Sequence, residues 1–596
     1  MRQWILLWAM MAIGQAQAHV GNHPSVHDTV AGILDRFVRT KTTNELKAMQ
    51  VPAVLALITP AERAVLGAEH VLFRLNAPAL VTVLKDSRNT NDPYWLVDRG
   101  FLRGTNVVEQ GKLRFEAWQR EFPAGPVGLG VNSIGGGGEH YLVLAQPTRS
   151  GDTIMLDELY PALLRVGTFT NHVAPYADSE ATLTNVPPAL SGATMLRTLR
   201  DRREDGRLLG LFRWTDHRSS RRPDHLVLTW SGDPRTTQAI QWRTGPATRG
   251  GFVQYGRAVD LNSPRERRPL RVKAVTEAMK DEQLLNDPLV NRHTVELTGL
   301  EPGTRYLYSV GDGDRNGWEE YREFITAPAT TVPFSFIYMG DAQNGLDRWG
   351  SLVHTAFRDR PDAAFYLMAG DLVNRGAQRD DWDSFFHNAR GIFDRRTLVP
   401  VLGNHEYQGG EPRLYLQQFA LPRNGPAGIP PERAYSFLYG GAQFVVLDSN
   451  LAPSAQTNWL AKELSGSTAT WKFVTYHHPA YSSAEGRQNE TVVQHWTPLF
   501  DQYHVDLVLQ GHDHAYLRTF PMKAGRKMES PAKGTVYVVA TSGTKFYPQA
   551  KHDYTQVGMT NVATYQVLDI QISGNRLNYR AFDIDGVLRD QFVIEK

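Results

Sequence analysis

Five short segments of the 596-residue chain carry side chains that bind metal ions or move protons in proteins. They are Gly340-Asp341-Ala342-Gln343, Gly370-Asp371-Leu372-Val373-Asn374, Gly403-Asn404-His405-Glu406, His477-His478 and Gly511-His512-Asp513-His514. Taken singly, each segment also fits a turn, a helix cap or a histidine satisfied within the core. Together they favour one shared metal site. Carboxylate, amide and imidazole groups suit iron, manganese or zinc, and the chain has no cysteine to offer a softer metal.

Each segment follows an apolar run that is typical of a buried strand. The runs are FSFIYM (334–339), AAFYLMA (363–369), TLVPVLG (397–403), KFVTYH (472–477) and VDLVLQG (505–511), and a further run, AQFVVLD, spans 442–448. Open α/β sheets place their ligands at the carboxyl ends of their strands. The pattern therefore predicts an α/β domain over residues 331–596 whose strand ends bring the five segments together.

The preceding residues, 220–330, have a different pattern. Short apolar runs alternate there with turn residues, as in HLVLTW, AIQWRT, GFVQYG, HTVELTGL, TRYLYSVG and YREFITAP. This spacing is typical of an all-β sandwich, and the segment resembles a fibronectin type III-like domain. A sandwich by itself indicates no chemistry.

The sequence of residues 19–215 predicts an N-terminal region with short helices followed by a β-rich part. No function is assigned to this region. Thr59-Pro60-Ala61-Glu62 predicts a capped helix start. The four glycines at 135–138 are not followed by Lys-Ser/Thr, so they indicate a flexible hairpin tip rather than a phosphate-binding loop. The arginine-rich stretch 197–222 indicates a solvated helix and linker.

The N-terminal residues predict export. Arg2 precedes an apolar stretch from Trp4 to Ile13 and the triplet Ala16-Gln17-Ala18, which together are typical of a signal peptide over residues 1–18. A buried first helix is the alternative. A membrane span takes about 20 apolar residues, more than this stretch or any later one offers. We therefore expect a periplasmic or secreted protein without a membrane span and, at a net charge of +2, without a nucleic-acid partner.

In their order along the chain, the strand-end segments resemble those of the calcineurin-like metallophosphoesterase superfamily, and within it the purple acid phosphatases. The resemblance covers about residues 225–596, and further stretches support it: Tyr435-Ser-Phe437, Phe444-Val-Val-Leu-Asp448, His477-His-Pro-Ala-Tyr481 and Gly511-His-Asp-His-Ala-Tyr516. It implies a multidomain chain whose catalytic domain is an α/β four-layer sandwich, with mixed sheets flanked by helices. It also implies two metal ions, iron with zinc, manganese or a second iron, and no organic cofactor.

The resemblance also implies a role for each matching residue. Asp371 would bridge the two metals and contribute to catalysis, Asp341 and His514 would bind metal A, and Asn404, His477 and His512 would bind metal B. A hydroxide shared by the metals would attack phosphorus, with His405 as the general acid. Glu406 and Asp448 would either orient the ligands or serve ordinary structural roles.

Two positions depart from the purple acid phosphatase pattern. Asn374 stands where those enzymes place the tyrosine whose binding to ferric iron gives their colour, so the resemblance implies no tyrosinate ligand here. Gln343 stands where the wider superfamily has histidine. Both are candidate ligands of metal A, and for Gln343 a role as a neighbouring hydrogen-bond partner stays open. The candidate substrate-binding residues are His405, His478 and Arg487, although Arg487 also fits an ordinary surface arginine.

The sequence thus favours an exported dinuclear-metal phosphatase that hydrolyses phosphate monoesters of small phosphorylated molecules. A phosphodiesterase or nucleotide pyrophosphatase with the same metal ligands is the alternative. A cell-surface binding protein that has lost catalysis is a remote third hypothesis.

Overall fold

The structure, a computed structural model, describes residues 25–262, 268–314, 317–408, 410–484, 486–571 and 575–596. The predicted signal peptide, residues 1–18, lies outside these ranges. The chain divides into two units, with the boundary between Arg213 and Trp214. None of the helices in the described ranges has the length and apolar character that a bilayer crossing requires.

The first unit begins with helices and continues as β structure. Its helices are α1 (Val26–Thr40), α2 (Thr43–Ala48), α3 (Val51–Leu57), α4 (Pro60–Ala68) and α5 (Tyr94–Asp98). Its strands are β1 (Val71–Leu75), β2 (Ala79–Asp86), β3 (Leu102–Gln110), β4 (Leu113–Phe122), β5 (Gly125–Leu129), β6 (Leu142–Pro147), β7 (Leu156–Tyr160), β8 (Arg165–Thr168) and β9 (Thr194–Arg197). The predicted capping box starts α4, because Thr59 and Glu62 each accept the other's backbone N–H in a hydrogen bond.

Two antiparallel sheets form this unit, in the strand orders β5-β1-β7 and β3-β4-β2-β6-β9-β8. The four-glycine segment is packed against the unit and is not a free hairpin tip. A Cβ on Gly138, whose φ is +70°, would lie 2.4 Å from Asn89 Oδ1. The arginine-rich stretch contains only a short 3-10 helix (Arg200–Glu204), where the Arg200 guanidinium pairs with Glu139. The hairpin-tip interpretation of the glycines was therefore wrong, because packing against Asn89 fixes that segment. In the arginine-rich stretch the predicted helix is only this short turn, whereas the boundary between the two units at Arg213 agrees with the predicted linker.

The second unit begins with a β sandwich. Its elements are β10 (Asp224–Thr229), β11 (Gln238–Thr244), β12 (Phe252–Arg257), α6 (Ala258–Leu261), β13 (Leu270–Lys273), β14 (Val275–Lys280), β15 (Leu289–Leu297), β16 (Arg305–Gly311) and β17 (Arg322–Ile325). They form two four-stranded antiparallel sheets, β10-β11-β15-β14 and β13-β12-β16-β17. Side chains from both sheets, such as Trp242 and Tyr308, share one core.

The remainder of the second unit is the predicted α/β domain. Its helices are α7 (Leu346–Asp359), α8 (Arg379–Asn388), α9 (Arg413–Gln418), α10 (Pro453–Ser465), α11 (Glu490–His495) and α12 (Thr497–Tyr503). Its strands are β18 (Phe334–Met339), β19 (Phe365–Met368), β20 (Thr397–Pro400), β21 (Tyr435–Tyr439), β22 (Ala442–Val446), β23 (Trp471–Thr475), β24 (Leu507–Gln510), β25 (Tyr516–Thr519), β26 (Met522–Lys523), β27 (Arg526–Lys527), β28 (Val536–Val539), β29 (Thr555–Met559), β30 (Tyr565–Gln571), β31 (Arg576–Phe582) and β32 (Leu588–Glu595).

Two mixed sheets form the centre of this domain, in the orders β20-β19-β18-β30-β31-β32 and β21-β22-β23-β24-β28-β25-β29. Strands β18, β19 and β20 run parallel in the first sheet, as do β22, β23, β24 and β28 in the second. The sheets pack face to face through aromatic rings: Phe336 and Phe365 of the first each contact Phe444 of the second, with ring centroids 5.3 Å apart.

Helices cover the outer faces of both sheets. Trp349 of α7 stacks on Phe385 of α8 and belongs to the core of the first sheet. On the second sheet, valines of β22, β23 and β24 pack against the helices. The helical side chains in this contact are Leu460 of α10, Trp496 between α11 and α12, and Phe500 of α12. The domain is therefore the four-layer sandwich that the sequence predicted.

Candidate metal centre

The five predicted segments meet where the two sheets end. Loops after β18, β19 and β20 carry Asp341, Asp371 and Asn404, while loops after β23 and β24 carry His477 and the pair His512 and His514. Asp341, Asp371, His512 and His514 all have positive φ, between 48° and 78°. Such a conformation is uncommon for residues with a side chain, and it turns each ligand sharply away from its strand.

Glycines let these loops approach one another closely. A Cβ on Gly403 would lie 2.2 Å from Asp371 Oδ1, and a Cβ on Gly511 would lie 2.5 Å from Asp341 Oδ2. Either distance is far inside van der Waals contact, so only glycine fits at these two positions. The glycine before each ligand is thus required by the approach of the facing carboxylate.

Three ligand atoms converge in what we call the Asn404 cluster, which consists of Asn404, His477 and His512. Asn404 Oδ1 lies 3.1 Å from His477 Nε2 and 2.9 Å from His512 Nδ1, and these two nitrogens are 3.2 Å apart. His477 Nδ1 lies 2.9 Å from the Ala369 carbonyl oxygen, so it carries the proton and leaves Nε2 free as a ligand. Ligands about 2.1 Å from one ion lie about 3 Å apart at neighbouring positions, so the cluster fits a metal ion.

The Gln343 cluster consists of Asp341, Gln343 and His514. Gln343 Nε2 lies 2.9 Å from His514 Nε2, which is 3.8 Å from Asp341 Oδ1. Gln343 Oε1 and His514 Nδ1 are buried and have no hydrogen-bond partner within the described ranges. A buried polar atom without a partner is costly. Rotation of the amide by 180° would aim Oε1 at the same point as His514 Nε2, which suits a shared cation.

Asp371 lies between the two clusters. Its Oδ2 is 3.1 Å from His477 Nε2 in the Asn404 cluster, and its Oδ1 accepts the backbone N–H of His405 at 2.9 Å. The Asp371 carbonyl oxygen accepts the backbone N–H of Gln343 at 3.1 Å, which ties it to the other cluster. Ligand atoms of Asp341, Asp371 and His477 all lie within 4.8 Å of one another. This carboxylate is therefore placed to contact ions in both clusters.

Glu406 holds the Asp371 and Asn404 loops together. Its buried carboxylate accepts the backbone N–H groups of Gly403, Asp371, Leu372 and Val373 at 2.7–3.4 Å. Burial and the nearby Asp371 charge raise the pKa of Glu406 to about 7. Of the two roles that the sequence left open for Glu406, the structure favours the orienting one.

His405 sits beside Asp371 at the edge of the centre. Its Nε2 is 3.9 Å from Asp371 Oδ2, and its Nδ1 is 2.5 Å from the Asn374 carbonyl oxygen. Asn374 thus meets His405 through its backbone, and no contact links its side chain to either cluster in the part of the chain described. Asp448 is buried and accepts a hydrogen bond from the Tyr407 hydroxyl.

The other two candidate substrate-binding residues, His478 and Arg487, differ in their surroundings. The His478 ring lies 4.4 Å from the His512 ring, and its Nδ1 is 2.8 Å from Ser449 Oγ. Arg487 instead donates through Nε to the buried Asp513 at 3.0 Å and through Nη2 to the His512 carbonyl at 3.2 Å. Arg487 therefore supports the His512–His514 loop, and phosphate binding by its guanidinium stays a prediction.

Charges in the centre shift its pKa values in opposite directions. Burial alone would lower the pKa of His477, but Asp371 and Asp341 outweigh it and raise this pKa to about 10. Burial raises the pKa of Asp341 well above its usual value, whereas for Asp371 the charge and hydrogen bond of His477 outweigh burial and lower the pKa to about 2. Burial, assisted by neighbouring cations, lowers the pKa of His514 to about 3. The shifts of Asp371 and His514 thus favour the ionised carboxylate and the neutral imidazole that metals require, whereas His477 and Asp341 would have to lose a proton when a metal binds.

A sixth segment, which the sequence motifs did not reveal, borders the centre. Residues 541–547 follow β28 and place Tyr547 against His514, with ring centroids 4.9 Å apart. The segment follows a strand as the others do, but it carries no histidine, carboxylate or amide side chain. Its position after the buried run at 536–539 is the only sequence signal for it.

Comparisons with known proteins agree with this geometry. Residues 223–326 match the family model of the purple acid phosphatase N-terminal domain, and residues 334–516 match that of the calcineurin-like phosphoesterases. The chain is similar to an uncharacterized protein of Mycobacterium tuberculosis, at 27% identity over 374 residues that span 53% of this chain and 69% of the relative. It is equally similar to purple acid phosphatase 15 of Arabidopsis thaliana, at 27% over 385 residues, 55% of this chain and 70% of the relative.

Among solved structures, a purple acid phosphatase from yellow lupin seeds (Lupinus luteus) superposes with a TM-score of 0.54. The superposition covers 89% of this chain and 91% of the lupin chain at 15% sequence identity, so it shows the fold. The resemblance seen in the sequence is confirmed at the level of domains: a purple acid phosphatase N-terminal domain precedes a calcineurin-like phosphoesterase domain, and the protein is a phosphoric ester hydrolase.

Proposed function

We propose that this centre holds two metal ions, iron with zinc, manganese or a second iron, and that the protein hydrolyses phosphate monoesters of small molecules. The observation that carries the proposal is the Asp371 carboxylate between the two ligand clusters, with His405 beside it. Two bound ions would polarise a phosphoryl oxygen and lower the pKa of a bound water to about 7.

His405 suits the role of leaving-group acid. The Asn374 carbonyl accepts a hydrogen bond from His405 Nδ1, so Nδ1 carries a proton and the ring is held in one orientation. The imidazolium form then has a second proton on Nε2, the nitrogen nearer Asp371. An alkoxide leaving from a phosphate monoester needs such a proton.

Metal analysis combined with a pair of nitrophenyl substrates tests the proposal. We expect about two metal equivalents per chain and a higher kcat/KM for nitrophenyl phosphate than for bis(nitrophenyl) phosphate. A preference for the diester would favour a phosphodiesterase or nucleotide pyrophosphatase with the same ligands. Metal binding without turnover of either substrate would favour the binding-protein hypothesis.

The acid role of His405 has a sharper test. Replacing His405 by alanine should lower kcat for glycerol phosphate by about 100-fold or more, since its alkoxide leaves poorly. The loss should be much smaller for nitrophenyl phosphate, whose leaving group needs little protonation. His354→Ala, an exposed histidine on α7, is the matched control. Equal losses on both substrates would contradict the assignment.

We also propose that the protein is exported. The support is the apolar stretch from Trp4 to Ile13 and the cleavage triplet that ends at Ala18. N-terminal sequencing of the protein recovered from an exporting host should give a mature chain that starts at His19. An intact Met1 on the recovered protein would contradict export by this route.

A further inference from the structure

Residues 541–547 are fixed against the Asp341 loop by backbone hydrogen bonds. The Ser542 N–H and hydroxyl both donate to the Gly340 carbonyl, at 2.8 and 2.6 Å. The Thr544 N–H and hydroxyl both donate to the Asn344 carbonyl, at 2.8 and 3.0 Å. The side chains that follow Thr544 are therefore held at a defined position beside the Gln343 cluster.

Tyr547 connects this segment to the metal ligands. Its backbone N–H donates to the His514 carbonyl at 3.1 Å, and its half-buried ring meets the His514 ring edge to face. Two cations contact the same tyrosine ring: Lys545 Nζ lies 5.1 Å from the ring centroid, and Arg487 Cζ lies 5.2 Å from it. Cation–π attraction therefore holds the Lys545 ammonium next to the centre.

The two cations differ in how their charge is compensated. Arg487 is paired with the buried Asp513 carboxylate. Within the described ranges Lys545 forms no ion pair, and its only recorded partner is the Tyr547 ring. Lys545 is thus a half-buried lysine without a counter-ion in the described ranges, and it lies on the ring that contacts the candidate ligand His514.

We propose that Lys545, held on the Tyr547 ring, binds a second anionic group of the substrate, a carboxylate or a second phosphate carried close to the phosphoryl group that is released. The inference rests on the proposed function and names its substrate class: phosphorylated hydroxy acids and bisphosphates. An ammonium that lies against an aromatic ring and lacks a counter-ion gains from such a partner. A site with a group reserved for one substrate charge discriminates against analogues that lack this charge.

Two substrates with the same three-carbon skeleton provide the test. Glycerol 3-phosphate ends in a neutral hydroxymethyl group, whereas 3-phosphoglycerate ends in a carboxylate. The wild-type protein should give the higher kcat/KM with 3-phosphoglycerate. Lys545→Gln should lower kcat/KM for 3-phosphoglycerate about tenfold and for glycerol 3-phosphate less than twofold. Lys545→Arg should retain most of the preference, because it keeps the charge.

The second arm of the test replaces the carboxylate by a phosphate, with 2,3-bisphosphoglycerate as substrate. A loss in Lys545→Gln with both anionic substrates means that the subsite takes either group, and a loss with only one identifies which of them it takes. Lys551→Gln, at an exposed lysine of the same loop, is the control and should change none of the ratios. Equal losses of Lys545→Gln on all substrates, or a wild type that prefers glycerol 3-phosphate, would overturn the inference.

A binding measurement separates this inference from the hydrolytic function. Titration calorimetry with 3-phosphonopropanoate and propylphosphonate needs no turnover, since neither compound carries an ester. The carboxylated phosphonate should bind the metal-loaded wild type more tightly, and Lys545→Gln should remove this difference. If the difference persists in the variant, the subsite is wrong even when hydrolysis is normal. If the metal-loaded wild-type protein does not hydrolyse glycerol 3-phosphate, the proposed function is contradicted instead.

Discussion

At the scale of single residues, Gln343 is a candidate ligand of one ion in the proposed two-metal centre. Its amide lies 2.9 Å from His514 Nε2, and its Oε1 is buried without a partner within the described residues. If this oxygen binds the ion, Gln343→Ala should raise the Kd of one of the two metal equivalents by about tenfold. Metal content after dialysis against buffered metal measures this, with Gln417→Ala on α9 as the control. Unchanged occupancy would restrict Gln343 to hydrogen bonding.

The residue at position 374 leads to a spectroscopic prediction. Asn374 stands where purple acid phosphatases have their iron-binding tyrosine, and it contacts His405 through its carbonyl oxygen. We therefore expect the iron-loaded protein to lack an intense visible absorption band, as an absorption spectrum will show. An intense band would contradict the expectation, and Tyr547→Phe would then test whether the ring next to His514 supplies the tyrosinate.

The convergence of the candidate ligand residues was predictable, because their chemistry is specific and their order along the chain is informative. The role of Arg487 was not predictable in the same way. The sequence does not reveal that Asp513, which stands between two ligand histidines, is fully buried and needs a cation. The support that Arg487 gives to this loop is visible only once the fold brings the two residues together.

At the scale of elements, Glu406 joins two loops through four backbone N–H groups. Glu406→Ala would leave these groups buried without an acceptor, so we expect a loss of about 2–4 kcal/mol in the free energy of unfolding together with weaker metal binding. Glu406→Gln keeps one acceptor oxygen, so its free energy of unfolding should lie between those of the wild type and Glu406→Ala. Denaturant titration and metal analysis measure both effects. Glu529→Ala, at an exposed site, is the control, and equal stability of the alanine variants would contradict the role.

The strands of the α/β domain were predictable from their apolar runs, and the ligands fall at their ends as expected. The position of the 541–547 segment was not predictable from sequence. Backbone N–H groups, the common hydroxyls of Ser542 and Thr544, and a glycine fix this segment, and none of these is distinctive in a sequence. A Cβ on Gly543 would lie 2.7 Å from the Asp341 carbonyl oxygen, a closeness that no local pattern indicates. Loops that bind through their backbone leave little trace in sequence.

At the scale of the whole molecule, the first unit should be sensitive to acid. His70 and His140 are both buried there, with their Nε2 atoms 2.9 Å apart, and Arg202 lies 3.3 Å from His70 Nδ1. Burial and Arg202 lower the pKa of His140 to about 4, against the hydrogen bond to the Tyr141 carbonyl and the more distant Asp178. Below pH about 6.5, the ordinary pKa of histidine, His140 therefore binds a proton in the unfolded chain but stays neutral in the folded unit until the pH approaches 4.

The stability of the first unit should consequently fall by about 1.4 kcal/mol per pH unit for each such histidine as the pH drops from about 6.5 toward 4. Hydrogen exchange followed by mass spectrometry, corrected for the intrinsic pH dependence, reports on peptides of each unit separately. His140→Gln, which does not titrate, should flatten the profile. A wild-type profile without this slope in peptides of the first unit would refute the prediction.

The arrangement of the first unit lay beyond sequence reasoning. Its short helices were predictable from periodicity and capping, but the order β3-β4-β2-β6-β9-β8 depends on pairings between distant segments. Side-chain packing over long separations decides such pairings, and no local pattern records them.

The face-to-face packing of the two sheets has a consequence for the metal centre. The loops of the first sheet supply Asp341, Asp371 and Asn404, whereas the loops of the second supply His477, His512 and His514, so the approach of the two sets of candidate ligands depends on the phenylalanine rings that pack between the sheets. The Tyr338 hydroxyl, which bonds the backbone of Gln510 as both donor and acceptor, fixes this gap next to the ligands. Side chains that do not bind an ion thus fix the distance between the candidate ligands. Changes in the aromatic core between the sheets should therefore alter metal binding.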